Sequence, residues 1–128
     1  MGGLTINKMF LENKNKLTNI KTIILSPNNF IKEVRETINK LGYYLKDEKL
    51  VEESDKLYHI LVFSKGNKVY SDKELYLGPI LMAKNKEIIK KYYRNELSNI
   101  NNLLLNNKIS IEKKEKLIKI KKYLEDVC

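Results

Sequence analysis

The chain has 128 residues, and its 42% hydrophobic content is enough to bury one core. A single cysteine, Cys128, excludes a disulfide framework, and no apolar run is long enough to span a bilayer. No secretory leader is recognisable in residues 4–11, so we expect a cytoplasmic protein without a membrane partner. The net charge of +9 is compatible with a polyanionic partner, although a Lys-, Asn- and Ile-rich composition more simply indicates a solvated surface.

The first part of the chain alternates helical and strand patterns. Apolar residues within 4–17 predict a helix, and the uninterrupted apolar run at 22–25 predicts a strand that is covered on both faces. Asn28 or Asn29 can cap a second helix, which ends before Gly42 because a glycine suits the left-handed residue that follows a helix. The order is helix, strand, helix.

Two further strands follow, at residues 43–51 and 57–64. They predict an antiparallel pair joined by the polar residues 52–56. A right-handed crossover places 43–51 parallel to 22–25, and the more apolar strand, 57–64, is expected between them. Its lone histidine, His59, is predicted to be a hydrogen-bonded strand residue in preference to a catalyst.

The rest of the chain has helical patterns alone. Ser71 and Glu74 match a capping box, and Gly78-Pro79 interrupts that short helix. A longer helix begins near Pro79 or Asn85, and another follows Ser110. Their apolar residues recur every three or four positions: Ile89, Tyr93, Leu97, Ile100 and Leu104, then Leu117, Ile120, Leu124 and Val127. The two stripes predict an antiparallel helical hairpin, or coiled coil.

Few side chains have recognisable chemistry. No His, Cys, Asp or Glu grouping has metal-ligand spacing, and no nucleophile lies beside a base, so no catalytic residue is assigned. One basic cluster contains Tyr92 and Tyr93 among its cations, which are Lys84, Lys86, Lys90, Lys91 and Arg94. Cations for phosphates and rings for stacking are typical of RNA-binding surfaces. Packing of Tyr93 in the hairpin, with solvated lysines outside it, explains the pattern about equally well.

Several segments, in this order and spacing, resemble the bacterial tRNA (adenine-22, N1) methyltransferases. They are MGGLTI at 1–6, TIILSPN at 22–28, LVEE at 50–53 with KLY at 56–58 and ILV at 60–62, LGPIL at 77–81, and YYRNEL at 92–97. The resemblance covers nearly the whole chain but corresponds only to the later part of the family's sequence. It implies an α/β fold: residues 1–70 form part of a class I, Rossmann-like methyltransferase sheet, and residues 71–128 form a tRNA-facing helical extension.

The resemblance also implies roles for two turns. The family's Gly-Met-Gly-Gly turn, which faces the cofactor S-adenosylmethionine and the target base, corresponds to Met1, Gly2 and Gly3. A substrate-facing Gln-Pro-Asn turn corresponds to Ser26, Pro27 and Asn28, where Ser replaces the family's Gln. The basic cluster is then expected to contact tRNA.

The family's first glycine-bearing loop, its ribose-binding acidic residue and its first four strands have no counterpart in this sequence. We therefore expect a C-terminal part of a tRNA adenine-N1 methyltransferase that is inactive alone and does not bind S-adenosylmethionine alone. Its expected partners are tRNA and a separately encoded N-terminal half. The alternative is a non-enzymatic basic module that binds RNA or docks on a protein.

Overall fold

The computed structural model describes residues 1–128, which form six α-helices and one three-stranded sheet. The elements, in chain order, are α1 (Gly3–Glu12), a 3-10 turn (Lys14–Leu17), β1 (Thr22–Leu25), α2 (Ile31–Lys40), β2 (Tyr43–Glu53), β3 (Lys56–Lys65), α3 (Asp72–Leu77), α4 (Pro79–Ala83), α5 (Glu87–Leu104) and α6 (Ile111–Val127). They fall into two compact units, Met1–Ala83 and Lys84–Cys128. In the first unit α3 packs on α2, and α4 packs on β2.

The sheet has the strand order β1-β3-β2, and β3 is antiparallel to both neighbours. β1 and β2 are therefore parallel to each other, and the predicted central position of the apolar strand is confirmed. The hairpin is tighter than predicted, because only Ser54 and Asp55 separate β2 from β3. Both residues have positive φ, 50° and 65°, as a two-residue hairpin turn of the I′ type requires.

Only one face of the sheet is covered by helices. Side chains of α1 and α2 pack there on inward-facing strand residues, and the cluster consists of Ile6, Ile23, Val34, Ile38, Tyr43, Leu45, Leu61 and Phe63. On the opposite face Ile24 is 66% exposed. The prediction that β1 is covered on both faces is therefore wrong for this chain, because α1, α2 and α4 leave the second face open.

A buried ion pair joins four elements of this unit. Arg35 Nε on α2 lies 2.6 Å from Glu48 Oε1 on β2, and both side chains are at most 1% exposed. Arg35 Nη1 also donates to the carbonyl oxygens of Leu75 and Tyr76 at the end of α3. Glu48 Oε2 accepts from the amides of Ile80 and Leu81 in the first turn of α4. The pair therefore fixes the α3–α4 corner against α2 and β2.

The helix termini show which capping predictions hold. The Ser71 capping box and the Ser110 cap are both present, and Gly42 has φ 98° as expected. Asn28 and Asn29 do not cap α2. That helix starts after Phe30, whose φ of 51° is left-handed, and the Asn29 side chain accepts from the Gly3 amide instead.

The second unit consists of α5 and α6, which pack against each other and are connected by residues 105–110. The predicted stripes supply its buried residues, which are Ile89, Tyr93, Ile100, Leu117 and Leu124. Supercoiling of the two helices stays a prediction. No helix in the structure combines the length and hydropathy needed to cross a membrane.

Candidate functional site

The two turns that resemble the family's site lie against each other at the carboxyl end of β1. The amide of Gly3 donates to Asn29 Oδ1 at 2.8 Å, and the amide of Asn28 donates to the carbonyl oxygen of Met1 at 3.1 Å. A Cβ on Gly3 would overlap the carbonyl oxygen of Asn29. The fold thus joins segments that lie more than 20 residues apart in sequence, and it needs a glycine at position 3 to do so.

These turns offer polar groups but no charged side chain. Ser26 and Asn28 are exposed, Pro27 between them is buried, and the Gly3 amide is already bonded to Asn29. No acidic side chain belongs to either turn, so neither turn offers a carboxylate to hold the ribose hydroxyls or to balance a sulfonium. The residues present do not by themselves form an S-adenosylmethionine site. No group of three His, Cys, Asp or Glu side chains is placed to hold a metal ion.

Replacing Gly3 with Ala is expected to lower the free energy of unfolding by about 2 kcal/mol, because the added Cβ separates the turns and breaks their two hydrogen bonds. Urea unfolding measures the change. Gly2→Ala is the matched control, since its Cβ would make only an ordinary 3.4 Å contact with Asn29 Oδ1. Equal losses in the two variants would show that the close approach at Gly3 is unimportant.

The basic cluster, defined as Lys84, Lys86, Lys90, Lys91 and Arg94, lies in the second unit. Two of its members precede α5 and three lie on the first half of that helix. Lys86, Lys91 and Arg94 are exposed, whereas Lys84 and Lys90 are half-buried. Lys90 Nζ is 3.7 Å from Glu87 Oε1, a distance typical of a loose surface pair.

The tyrosines within this cluster differ in exposure. Tyr93 is only 3% exposed and therefore packs in the core, as the structural interpretation of the pattern predicts. Tyr92 is half-buried, and its ring centroid lies 5.8 Å from that of Tyr93. Of the two rings, only that of Tyr92 is therefore partly exposed.

His59 lies apart from both turns, in the middle of β3 opposite Leu50. Burial, and secondly the positive charge of Arg35, lowers the pKa of His59 to about 4 from 6.5. Its side chain is 6% exposed and is neutral near pH 7. A general base with so low a pKa is weak, so this geometry favours the predicted structural role.

The sequence reasoning missed Asn29 and the Arg35–Glu48 pair. The sequence marks Asn29 only as a candidate helix cap, because its bond to Gly3 is a contact across 26 residues. The sequence does contain a signal for the buried Arg35–Glu48 pair. Glu48 shares the covered face of β2 with Leu50, which lies two residues further along the strand. A carboxylate at such a position requires a buried cation.

Residues 1–127 match the family model described as tRNA (adenine(22)-N(1))-methyltransferase. A Bacillus subtilis (strain 168) protein of that description is 31% identical over 103 residues, which are 76% of this chain and 43% of that protein. The chain thus spans less than half the length of this curated relative.

Two solved structures have the same fold over 99% of this chain. One is a protein of the NADB-Rossmann superfamily from Streptococcus agalactiae, with 28% identity and a TM-score of 0.89, and the match covers 56% of it. The other is Streptococcus pneumoniae Sp1610, solved in complex with S-adenosyl-L-methionine. It has 25% identity and a TM-score of 0.86, and again 56% of its chain is covered.

Proposed function

The chain belongs to the tRNA (adenine(22)-N(1))-methyltransferase family, and from this premise we propose that it is the C-terminal part of an S-adenosylmethionine-dependent tRNA adenine-N1 methyltransferase. The family match over residues 1–127 is the observation that carries the proposal. The junction of the Met1–Gly3 and Ser26–Asn28 turns supports it further, because it brings together the two segments that the resemblance assigns to the cofactor and the target base.

In this proposal the two units have different tasks. The sheet unit presents Ser26 and Asn28 toward the substrate base, and the second unit binds tRNA phosphates through the basic cluster. Methyl transfer to adenine N1 requires the methyl donor and the base to be held in line. The residues of this chain do not hold the donor, so we propose that a separately encoded N-terminal half supplies its site.

The isolated chain is expected to show no saturable binding of S-adenosylmethionine up to on the order of 1 mM. The reason is that neither turn contains an acidic side chain, and the amide of Gly3 is already bonded to Asn29. Isothermal titration calorimetry provides the measurement. A one-to-one site in the micromolar range would contradict the proposed division of tasks between two halves.

Charge reversal at Lys90, Lys91 and Arg94 is expected to weaken tRNA binding more than tenfold at about 0.1 M salt. If these side chains contact phosphates, the slope of log affinity against log salt should also fall by about two to three. Fluorescence anisotropy with an unmodified tRNA transcript, repeated at several salt concentrations, measures both quantities.

The matched control carries the same charge change on the other helix of the unit. Lys113, Lys114 and Lys116 lie on α6 and are exposed. Their replacement by Glu changes the net charge of the chain by the same amount as the replacement of Lys90, Lys91 and Arg94. Both triple variants are checked for helicity by circular dichroism. Equal losses of affinity would point to general basicity and remove the basic cluster as a specific surface.

A non-enzymatic RNA-binding module is the second candidate, and the exposure of the basic cluster supports it without reference to methyl transfer. Reconstitution separates the two. The chain is mixed with a polypeptide that contains the part of the Bacillus subtilis relative to which this chain does not align. Transfer of labelled methyl groups from S-adenosylmethionine to tRNA is then measured. Incorporation that requires both polypeptides supports the enzyme, whereas tRNA binding without incorporation supports the module.

A further inference from the structure

Phe30 has a backbone conformation that its side chain disfavours. Its φ of 51° and ψ of 44° lie in the left-handed region, where a bulky residue is a genuine outlier. The other two non-glycine residues with positive φ, Ser54 and Asp55, form the hairpin turn that requires this conformation. Asn29 is of a residue type that enters the left-handed region more readily, yet the chain places Phe30 there. The turn before α2 therefore carries backbone strain at a phenylalanine.

Contacts with α1 hold the strained residue in place. On one side of Phe30, Asn29 Oδ1 accepts from the Gly3 amide at 2.8 Å. On the other side, Asn7 Nδ2 donates to the carbonyl oxygen of Glu33 at 3.1 Å. The Gly3 backbone also comes so close that a Cβ there would lie 3.0 Å from Phe30 Cβ. Strain of this kind persists only where the surrounding contacts over-determine the conformation, as they do here.

The hydrophobic core does not explain why a large ring stands at this position. Phe30 is 48% exposed and does not belong to the core cluster, whereas the next residue, Ile31, is half-buried and packs on that cluster. A single exposed apolar side chain is ordinary on a protein surface. An exposed ring that is also held in a strained conformation is a different case, because such strain is concentrated at functional sites.

The ring stands beside the two turns of the candidate site. Phe30 lies two residues after Asn28, whose amide donates to the carbonyl oxygen of Met1 at 3.1 Å. Ser26 and Asn28 are exposed and polar, and residues 26–30 contain no charged side chain. An aromatic ring next to neutral hydrogen-bonding groups suits a flat, uncharged base, which is recognised by stacking and by hydrogen bonds to its edge. A phosphate would require cations instead.

We propose that the ring of Phe30 stacks on the target adenine of the tRNA. The N1 atom belongs to the Watson–Crick edge of adenine, so the base must leave its pair and its stack before N1 can react. An exposed ring that is already fixed in place replaces the stacking that the base loses. This inference rests on the proposed function, because that function supplies the adenine, and it identifies a side chain that binds the base.

The test uses the absence of tryptophan from the 128-residue chain. Phe30→Trp keeps an aromatic ring and introduces one tryptophan, whose fluorescence is quenched when it stacks on a nucleobase. Titration of this full-length variant with an unmodified tRNA transcript is expected to reduce the emission until it saturates. A transcript with an abasic nucleotide at position 22 is expected to bind through the basic cluster but to leave the emission unchanged.

Val69→Trp is the matched control for the fluorescence. Val69 is 94% exposed and lies between β3 and α3. The neighbouring Lys68 accepts, through its carbonyl oxygen, a hydrogen bond from Asn39 in the last turn of α2, whereas Phe30 precedes the first turn of that helix. The control tryptophan is therefore at the opposite end of α2, and its emission should not change when the complete transcript binds.

Two further variants separate the ring from the strain. Phe30→Ala and Phe30→Gly both remove the ring, but only glycine adopts positive φ without a Cβ penalty, so the glycine variant should have the higher melting temperature. Both variants are expected to bind the complete transcript about fivefold more weakly than the unmodified chain, because each loses one stacked base. Phe30→Trp should retain the affinity of the unmodified chain. Fluorescence anisotropy of labelled tRNA measures these affinities.

Three outcomes would overturn the inference. They are unchanged emission of the Phe30→Trp variant at saturating tRNA, equal quenching by the complete and the abasic transcript, and affinities of the Ala and Gly variants that follow their melting temperatures. Methyl transfer in the reconstituted mixture reports separately on the proposed enzyme. Transfer without quenching would overturn the role of Phe30 alone, whereas quenching that depends on base 22 but occurs without transfer would support Phe30 and contradict the enzyme.

Discussion

Replacement of Glu48 by Gln is expected to lower the free energy of unfolding by about 3–5 kcal/mol, the usual cost of leaving one partner of a buried ion pair uncompensated. The Glu48 carboxylate faces Arg35 Nε at 2.6 Å and receives the amides of Ile80 and Leu81. The Gln side chain has one acceptor oxygen and an NH2 donor in place of the two carboxylate oxygens, so it cannot accept from all three donors. Urea unfolding followed by circular dichroism at 222 nm measures the loss.

Glu36→Gln is the matched control for this change. Glu36 also pairs with a cation, Lys40 Nζ at 3.4 Å, but both side chains are substantially exposed. Exposed pairs of this spacing contribute about 0.3–0.5 kcal/mol, so the control should unfold almost as the unmodified chain does. Similar losses in the two variants would mean that the buried pair is not a main stabilising contact.

The double replacement Arg35→Met with Glu48→Leu separates the charge from the packing. It removes both ions, so no uncompensated charge stays buried, and it should cost less than Glu48→Gln alone. Some loss is still expected, because the carbonyl oxygens of Leu75 and Tyr76 lose their donor, and the amides of Ile80 and Leu81 lose their acceptor. A double variant less stable than Glu48→Gln would show that these backbone contacts outweigh the ion pair.

The stability of the sheet unit is expected to fall as the pH is lowered from about 6.5 to about 4, and His59 contributes a defined part of that fall. Its pKa is about 4 in the folded chain against 6.5 when unfolded, because burial and secondly Arg35 disfavour the imidazolium. The unfolded chain therefore binds more protons throughout this window. The stabilising contribution of His59 is complete above pH 6.5 and is lost as the pH falls. The free energy of unfolding lost from this source is about 3 kcal/mol at pH 4.

His59→Leu is the variant that isolates this contribution. Carboxylates titrate in both chains, so the difference between the two stability curves reports on His59 alone. We expect the free energy of unfolding of the variant to change less steeply between pH 6.5 and pH 4 than that of the unmodified chain. Parallel curves across this window would show that His59 titrates normally and that its burial does not affect the equilibrium.

Local sequence patterns alone were enough to predict much of the fold. The apolar run of β3 predicted its central position, and the Ser71, Gly42 and Ser110 signals placed helix termini correctly. These features depend on side chains and backbone angles within a few residues of one another. The resemblance to the methyltransferase family also rested on short segments in order, and the family match confirms it.

Contacts between distant segments decided the rest. Asn29 bonds to Gly3 and so does not cap α2, Glu48 is buried because Arg35 reaches it from another element, and Ile24 is exposed because every helix of its unit that packs on the sheet lies on the other face. A residue's own neighbours in sequence determine its backbone preference and periodicity. Which groups meet across 13 to 26 residues, and which face of a strand stays open, follow only from the packed arrangement of complete elements.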